Sequence, residues 1–174
     1  MKTIYFLRHA KSDWSDSTLS DHARPLNARG RRAAAKMGVL MQRLGVAPDL
    51  VLCSTAERAK ETLERVMSAG GFDWTVKHER GLYGASADSI LSIVRTQDCE
   101  HENLMFVGHN PGFEDIILGL SGAEETVGDL LRIKRKYPTA AFSVIDFDVD
   151  TFAQIGLGGG CLTQFIKPKD KTIV

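Results

Sequence analysis

Four side chains in this sequence have the chemistry to bind and transfer a phosphoryl group. Each comes after a short apolar segment, and the four are Arg8, His9, Arg58 and His109. A guanidinium offers a planar fork of N–H donors to phosphate oxygens and stays charged at any working pH. A neutral imidazole can attack phosphorus when a hydrogen bond fixes one ring nitrogen and the other keeps its lone pair. The set therefore predicts a phosphate site with a histidine nucleophile.

The two histidines are expected to have different roles at this site. We expect His9 to be the nucleophile between the clamps Arg8 and Arg58, and His109 to stabilise charge in the transition state. Successive side chains of a strand point to opposite faces of the sheet. Arg8 and His9 can therefore share one pocket only if the chain leaves its strand there.

Three continuous apolar segments must position these side chains. They comprise residues 4–7, 50–52 and 104–107. Continuous rather than alternating apolar residues are typical of central parallel strands that are covered on both faces. Ligands of open α/β sheets bind beyond the carboxyl ends of such strands, which is where all four side chains are expected.

Helices are predicted between and after these strands. Asn27 is a candidate N-cap of the first helix, and Gly45 follows its expected end. Residues 54–57 (STAE) match a capping box, which predicts a helix start there with Arg58 in its first turn. A further helix is predicted over residues 113–120.

The C-terminal third predicts antiparallel strands. Residues 141–147 and 151–155 resemble a hairpin, followed by a glycine-rich turn over residues 156–160. The expected fold is α/β, a three-layer sandwich with a mainly parallel sheet plus late antiparallel strands. At 174 residues we expect a single domain over residues 1–174.

Composition narrows the classes of partner. The 22 basic residues equal the 22 acidic ones, so overall charge favours neither nucleic acid nor a membrane as partner. The three cysteines, Cys53, Cys99 and Cys161, lack paired spacing, which suggests reduced thiols. With no signal-peptide pattern and no bilayer-length apolar segment, we expect a cytoplasmic protein.

Several motifs together resemble one known family. They are residues 7–12 (LRHAKS), 21–30 (DHARPLNARG), 54–62 (STAERAKET), 107–112 (VGHNPG) and 137–141 (YPTAA). In this order they resemble the histidine phosphatase superfamily, which is phosphoglycerate mutase-like, and especially its SixA-type phosphohistidine phosphatases. Ala10 stands where the family more commonly has glycine.

The resemblance implies a two-step transfer without metal or other cofactor. His9 would take the phosphoryl group from a phosphorylated protein or a small phosphate-bearing substrate, and water would then release inorganic phosphate. Many members have a leaving-group acid after a leucine in mid-chain, which is absent here, so Glu79 is only a possible acid. An imidazole leaving a phosphoramidate needs less protonation than an alkoxide, which favours phosphohistidine as the substrate.

Three alternatives compete with a phosphohistidine phosphatase. A small-molecule phosphomonoesterase of the same superfamily would use the same four side chains. A non-catalytic phosphoprotein-binding module would need the arginines but not both histidines. A cysteine phosphatase using Cys53 fits poorly, because four residues rather than five separate it from Arg58 and none is glycine.

Other polar residues are weaker candidates for substrate binding: Lys11, Arg24, Asn27 and Asn110. Surface solvation explains the lysine and the arginine equally well, and Asn27 already serves as a helix cap. The basic segment 132–136 is either a solvated face or a docking surface for an acidic protein.

Overall fold

The computed structural model describes residues 1–122 and 127–170, which form a six-stranded sheet covered by helices. The strands are β1 Lys2–Arg8, β2 Leu50–Cys53, β3 Val76–His78, β4 Asn103–Gly108, β5 Phe142–Phe147 and β6 Gly160–Ile166. The α-helices are α1 Ala28–Arg43, α2 Glu57–Gly70, α3 Ala87–Arg95, α4 Gly112–Leu120 and α5 Val127–Arg135. Short 3-10 helices span Asp21–Ala23, Arg80–Leu82 and Phe152–Gln154.

The strand order places the three predicted apolar strands side by side. The sheet runs β3-β2-β4-β1-β5-β6, with β1 to β4 parallel and β5 and β6 antiparallel. Arg8 pairs with Gly108, and Cys53 pairs with Val107. The carboxyl ends of β1, β2 and β4 are therefore level, and the residues that follow them lie next to one another.

Helices cover both faces of the sheet, which confirms the predicted three-layer α/β sandwich. Leu7 and Val107 pack with the buried residues of α1 and α2. Phe6 and Phe106 face the opposite layer, where Phe113 of α4 packs edge-on against Phe6. Within residues 1–122 and 127–170, no helix is both long and apolar enough to cross a bilayer.

The helix starts confirm one local prediction and contradict another. Asn27 caps α1 by accepting a hydrogen bond from the backbone N–H of Gly30 at 2.8 Å. The predicted capping box at residues 54–57 is wrong, because Ala56 occupies the N-cap position of α2 and no side chain caps it. Arg58 does lie in the first turn of α2, as predicted.

The predicted late hairpin is wrong in its second strand. Residues 151–155 contain the 3-10 helix Phe152–Gln154, and the partner of β5 is β6. Phe152 and Ile155 are both fully buried, three residues apart on this turn, so their apolar side chains reach the core without a strand. The predicted glycine turn is shorter than expected, because Gly160 begins β6.

Candidate active site

The site lies at the level carboxyl ends of β1, β2 and β4. The backbone N–H of His9 donates to the carbonyl of Gly108 at 3.0 Å, and that of Ser54 donates to Val107 at 2.9 Å. These two bonds tie the residues directly after β1 and β2 to strand β4. His9 and His109 consequently face each other, with ring centroids 5.0 Å apart and ring planes inclined by 50°.

His9 has the tautomer that a nucleophile needs. Its Nδ1 donates to the carbonyl of Ala10 at 2.7 Å, so the neutral ring keeps a lone pair on Nε2. The side chain is 8% exposed. Burial, followed by the positive fields of His109 and Arg58, lowers the pKa of His9 to about 3. The imidazole is therefore neutral at physiological pH.

The chain leaves β1 directly after Arg8, which meets the geometric condition for His9 to enter the site. The backbone N–H of Ala140 donates to the carbonyls of both Arg8 and His9 at 3.1 Å. On the other side, the N–H of Ala10 donates to Oγ1 of Thr62 at 2.9 Å. The loop that carries His9 is thus attached both to the segment before β5 and to helix α2.

His109 is held by Ser54 through one ring nitrogen only. The Oγ of Ser54 lies 2.7 Å from Nε2 of His109. Nδ1 is buried and has no hydrogen-bond partner among the described residues. Burial and then the charge of Arg58 lower the pKa of His109 to about 4, so this ring is also neutral. When Ser54 donates to Nε2, the proton of the neutral ring lies on Nδ1, where it can be donated to an anion.

Arg58 is 8% exposed and is oriented by Asp21, a residue that was not predicted to belong to the site. Its guanidinium donates to the backbone carbonyl of Asp21 at 2.5 Å and to the carboxylate of Asp21 at 3.0 Å. The same carboxylate accepts from the hydroxyl of Tyr83 at 2.8 Å. The hydrogen bond from Tyr83, together with that from Arg58, holds the pKa of Asp21 below its usual range.

Arg8 lies near both histidines but takes part in a different set of contacts. It donates to the backbone carbonyl of Tyr137 at 2.5 Å. Its Nε is buried without a hydrogen-bond partner in the described part of the chain. Its positive charge contributes to the lowered pKa values of His9 and His109. The structure therefore brings the four predicted side chains to one end of the sheet, with Arg8 at its margin.

The weaker candidates differ in their surroundings. Lys11 is exposed beside the site, whereas Arg24 lies over the ring of Trp14, 3.5 Å from its centroid. Asn27 uses its side-chain oxygen as a helix cap. Asn110 donates to Glu114 at 2.9 Å and to the carbonyl of Tyr137 at 3.3 Å, beside Arg8. Of these side chains, Asn110 is thus the one that shares a partner with a predicted clamp.

Glu79, the possible acid, belongs to a local turn. Its carboxylate accepts from the backbone N–H of Gly81 at 3.0 Å and lies 3.8 Å from Nζ of Lys77. No hydrogen bond or ion pair recorded for the described residues joins it to either site histidine. Asp21 is connected to the site through its ion pair with Arg58, and Glu114 lies on the Arg8 side of the site, where it accepts from Asn110.

Three residues of the site were not predicted from the sequence: Asp21, Ser54 and Tyr83. Asp21 and Ser54 both lie inside the motifs that resemble the family, so their position was a usable signal. Tyr83 had no such signal, and only the fold brings its ring against His109, with centroids 5.5 Å apart.

The remaining candidates for chemistry in this structure are the thiol of Cys53 and a bound metal ion. Cys53 is buried, and this burial raises the pKa of its thiol to about 12, which is unsuited to a thiolate nucleophile. Among residues 1–122 and 127–170, no three or more His, Cys, Asp or Glu side chains are grouped so as to hold a metal ion.

Comparison with known proteins identifies the family. The model of the histidine phosphatase superfamily (branch 1) matches residues 4–84. An uncharacterized protein of Mycobacterium tuberculosis is 34% identical over 166 residues, covering 94% of this chain and all of that protein. The adenosylcobalamin/alpha-ribazole phosphatase of Escherichia coli is 32% identical over 102 residues, covering 49% of each chain.

A solved structure extends the similarity over nearly the whole length. A protein of Nakamurella multipartitia, described as a candidate phosphohistidine phosphatase SixA, superposes with a TM-score of 0.83 at 27% identity, covering 97% of each chain. The fold is therefore that of the phosphoglycerate mutase-like proteins, as predicted. By sequence and by structure, this chain belongs to the histidine phosphatase superfamily.

Proposed function

We propose that this protein is a metal-independent phosphatase that forms a phosphohistidine at His9 and acts on phosphohistidine carried by a protein. The observation that carries the proposal is the hydrogen bond from Nδ1 of His9 to the carbonyl of Ala10. It leaves the Nε2 lone pair of a neutral ring as the reactive group, close to Arg58 and His109. A site that only bound phosphate would have no need of this tautomer.

The reaction has two displacements at phosphorus. In the first, Nε2 of His9 forms the P–N bond while the bond from phosphorus to the leaving nitrogen breaks, and the substrate imidazole departs with its own proton. In the second, water attacks phosphorus, the P–Nε2 bond breaks, and inorganic phosphate and a proton are released. Arg58 and Nδ1–H of His109 stabilise the equatorial oxygens in both steps.

Protein-borne phosphohistidine is favoured over a phosphate ester by the leaving group that each presents. An alkoxide needs a proton from an acid, and Asp21, which pairs with Arg58, is poorly suited to supply one because its pKa is lowered. The similarity to the Nakamurella protein described as a candidate phosphohistidine phosphatase supports the same substrate class. A cytoplasmic location stays a prediction from the sequence.

The second candidate is a small-molecule phosphomonoesterase. It is supported by the Escherichia coli relative, whose name specifies alpha-ribazole phosphatase activity and whose similarity covers about half of this chain. The two candidates share the nucleophile and differ in the leaving group.

Labelling of the enzyme tests the proposal. The protein is mixed with ³²P-labelled phosphohistidine protein or with labelled phosphomonoesters, quenched in base, and digested to map the label. We expect a base-stable, acid-labile phosphate on His9 from the phosphohistidine donor, absent in His9→Gln and retained in His78→Gln, which alters an exposed histidine of β3. Labelling by the esters alone would support the second candidate, and tight binding without turnover of any donor would support a binding module.

A further inference from the structure

A strongly basic cleft lies beside the candidate active site, on the Arg8 side. It has a volume of about 530 Å³, and its lining includes six cationic side chains: Arg8, Lys11, Arg29, Lys136, Lys167 and Lys169. They come from the end of β1 and the loop after it, the start of α1, the segment before β5 and the residues after β6. We call this set the basic cleft. No acidic side chain lines it within the described ranges.

Within the described residues, the positive charge of the basic cleft is not balanced by ion pairs. Counting residues 1–122 and 127–170, none of the six cations forms an ion pair with a carboxylate. Asp170 accepts from the backbone N–H of Lys167, but its ion pair is with Arg132, at 2.9 Å. The whole chain carries equal numbers of acidic and basic residues, so this concentration of positive charge is a local separation of charge.

Arg8 connects the basic cleft to the site of phosphoryl transfer. It lines the cleft, and its charge also acts on His9 and His109. Its Nε is buried and has no hydrogen-bond partner within the described residues. A substrate with its phosphate at His9 would therefore place the neighbouring part of its structure over the basic cleft.

The make-up of the cleft favours several separate anionic groups over a second phosphate. Four of the six cations are lysines, which are mobile point charges, whereas arginines form the rigid forks that suit a phosphate. The volume is also within the range of sites that enclose molecules much larger than one tetrahedral anion. Aspartate and glutamate side chains spaced along a peptide match this distribution of charge.

We infer that the basic cleft binds an acidic segment next to the phosphorylated residue of the protein substrate. This rests on the proposed function, because it supplies the substrate specificity of the same site. It also explains part of the basic segment 132–136, since Lys136 lines the cleft whereas Arg132 pairs with Asp129 and Asp170.

Kinetics with matched peptides test the inference. One phosphohistidine peptide has Asp and Glu on both sides of the phosphorylated residue, and the other has Asn and Gln at those positions. The triple variant Lys136→Ala, Lys167→Ala, Lys169→Ala is compared with Arg43→Ala, Arg65→Ala, Lys77→Ala, which removes the same charge from exposed sites elsewhere. Thermal melts establish that both variants fold.

We expect the cleft variant to raise KM for the acidic peptide about tenfold or more, with kcat within about twofold of the wild type. The kinetics of the cleft variant with the neutral peptide and with phosphoramidate should not change. Added salt should raise KM for the acidic peptide only in proteins that keep the three lysines of the cleft. Equal KM values for both peptides in the wild type, or equal effects of the two triple variants, would overturn the inference. So would loss of phosphoramidate turnover in the cleft variant.

Two additional measurements separate this inference from the proposed function. Binding of the acidic peptide to the His9→Gln variant, followed by fluorescence anisotropy, tests the cleft even if no donor is turned over. The second measurement is inhibition by inorganic tripolyphosphate. If this inhibition needs the three lysines while the enzyme shows no preference between the two peptides, the cleft binds a small polyanion and the inference is overturned. Turnover of phosphoramidate without peptide preference would leave the proposed function intact.

Discussion

The hydroxyl of Ser54 lies 2.7 Å from Nε2 of His109, and it also accepts a hydrogen bond from the backbone N–H of Ala56 at 3.3 Å. Having accepted from Ala56, the hydroxyl is free to donate its own proton to His109. When the hydroxyl donates in this way, the proton of the neutral imidazole lies on Nδ1. Ser54 is thus the side chain through which the Nδ1–H tautomer of His109 can be stabilised.

Replacing Ser54 should therefore impair His109 without removing it. Ser54→Ala deletes the hydroxyl and leaves a buried ring nitrogen unpaired, so we expect kcat to fall about five- to tenfold, with little change in KM. Ser54→Thr keeps a hydroxyl and should recover most of the activity. Steady-state kinetics check both, and a fall in kcat that is the same in the two variants would contradict this role.

Catalysis should depend more on the planar geometry of the Arg58 guanidinium than on its charge. Arg58→Lys keeps a positive charge near Asp21 but loses the planar fork, so we expect kcat/KM to fall about a hundredfold. Arg65→Lys is the matched control on the same helix, where the guanidinium is exposed and lies 3.8 Å from Glu61. The proposal that Arg58 clamps phosphate would be contradicted if both variants retained the activity of the wild type.

The two site histidines should make folding stability depend on pH. Burial lowers their pKa values to about 3 for His9 and about 4 for His109, below the ordinary value of 6.5. Between pH 4 and 6.5 the unfolded chain therefore binds protons that the folded protein does not. The stability they contribute is fully present above pH 6.5 and decreases as the pH falls, by at most about 1.4 kcal/mol per pH unit for each histidine.

Urea unfolding of the wild type and of His9→Gln, at about pH 7 and about pH 5, measures this dependence. The wild type should lose more of its free energy of unfolding than the variant over this interval. Equal losses in the two proteins would show that His9 is not neutral in the folded state.

The site residues that could be predicted from the sequence are mainly those that directly follow a strand. Continuous apolar segments placed Arg8, His9 and His109 after central strands, and the parallel register then brings these ends level. Asn27 was predictable for a different reason, since a helix cap acts on an N–H only three residues away. Both kinds of signal are contained in short stretches of sequence.

The errors arose where a distant partner decides the local structure. Ser54 matches a capping pattern, but its hydroxyl pairs with a histidine 55 residues later. Asp21 escaped notice because its partner Arg58 lies 37 residues away. Residues 151–155 have strand-like composition, yet packing of Phe152 and Ile155 into the core favours a 3-10 turn. Pairings of this kind become visible only in the folded structure.

Thr62 should position the nucleophile although it lies on helix α2. Its fully buried hydroxyl donates to the carbonyl of Arg58 at 2.6 Å and accepts from the N–H of Ala10 at 2.9 Å, so it connects the phosphate clamp to the loop of His9. Thr62→Val preserves the shape but leaves that buried N–H unpaired, which costs about 1–3 kcal/mol. We expect a lower midpoint in urea and a severalfold lower kcat.

The response of a conservative variant distinguishes positioning from a general loss of stability. Thr62→Ser retains the hydroxyl and should restore kcat, whereas Thr75→Val, an exposed change directly before β3, should alter neither kcat nor the urea midpoint. A positioning residue acts on the reactive geometry more than on substrate affinity, so KM should stay nearly constant throughout. If Thr62→Val lowered stability but left kcat unchanged, the hydroxyl would serve the fold alone, and the orientation of His9 would depend on Ala140 and the sheet.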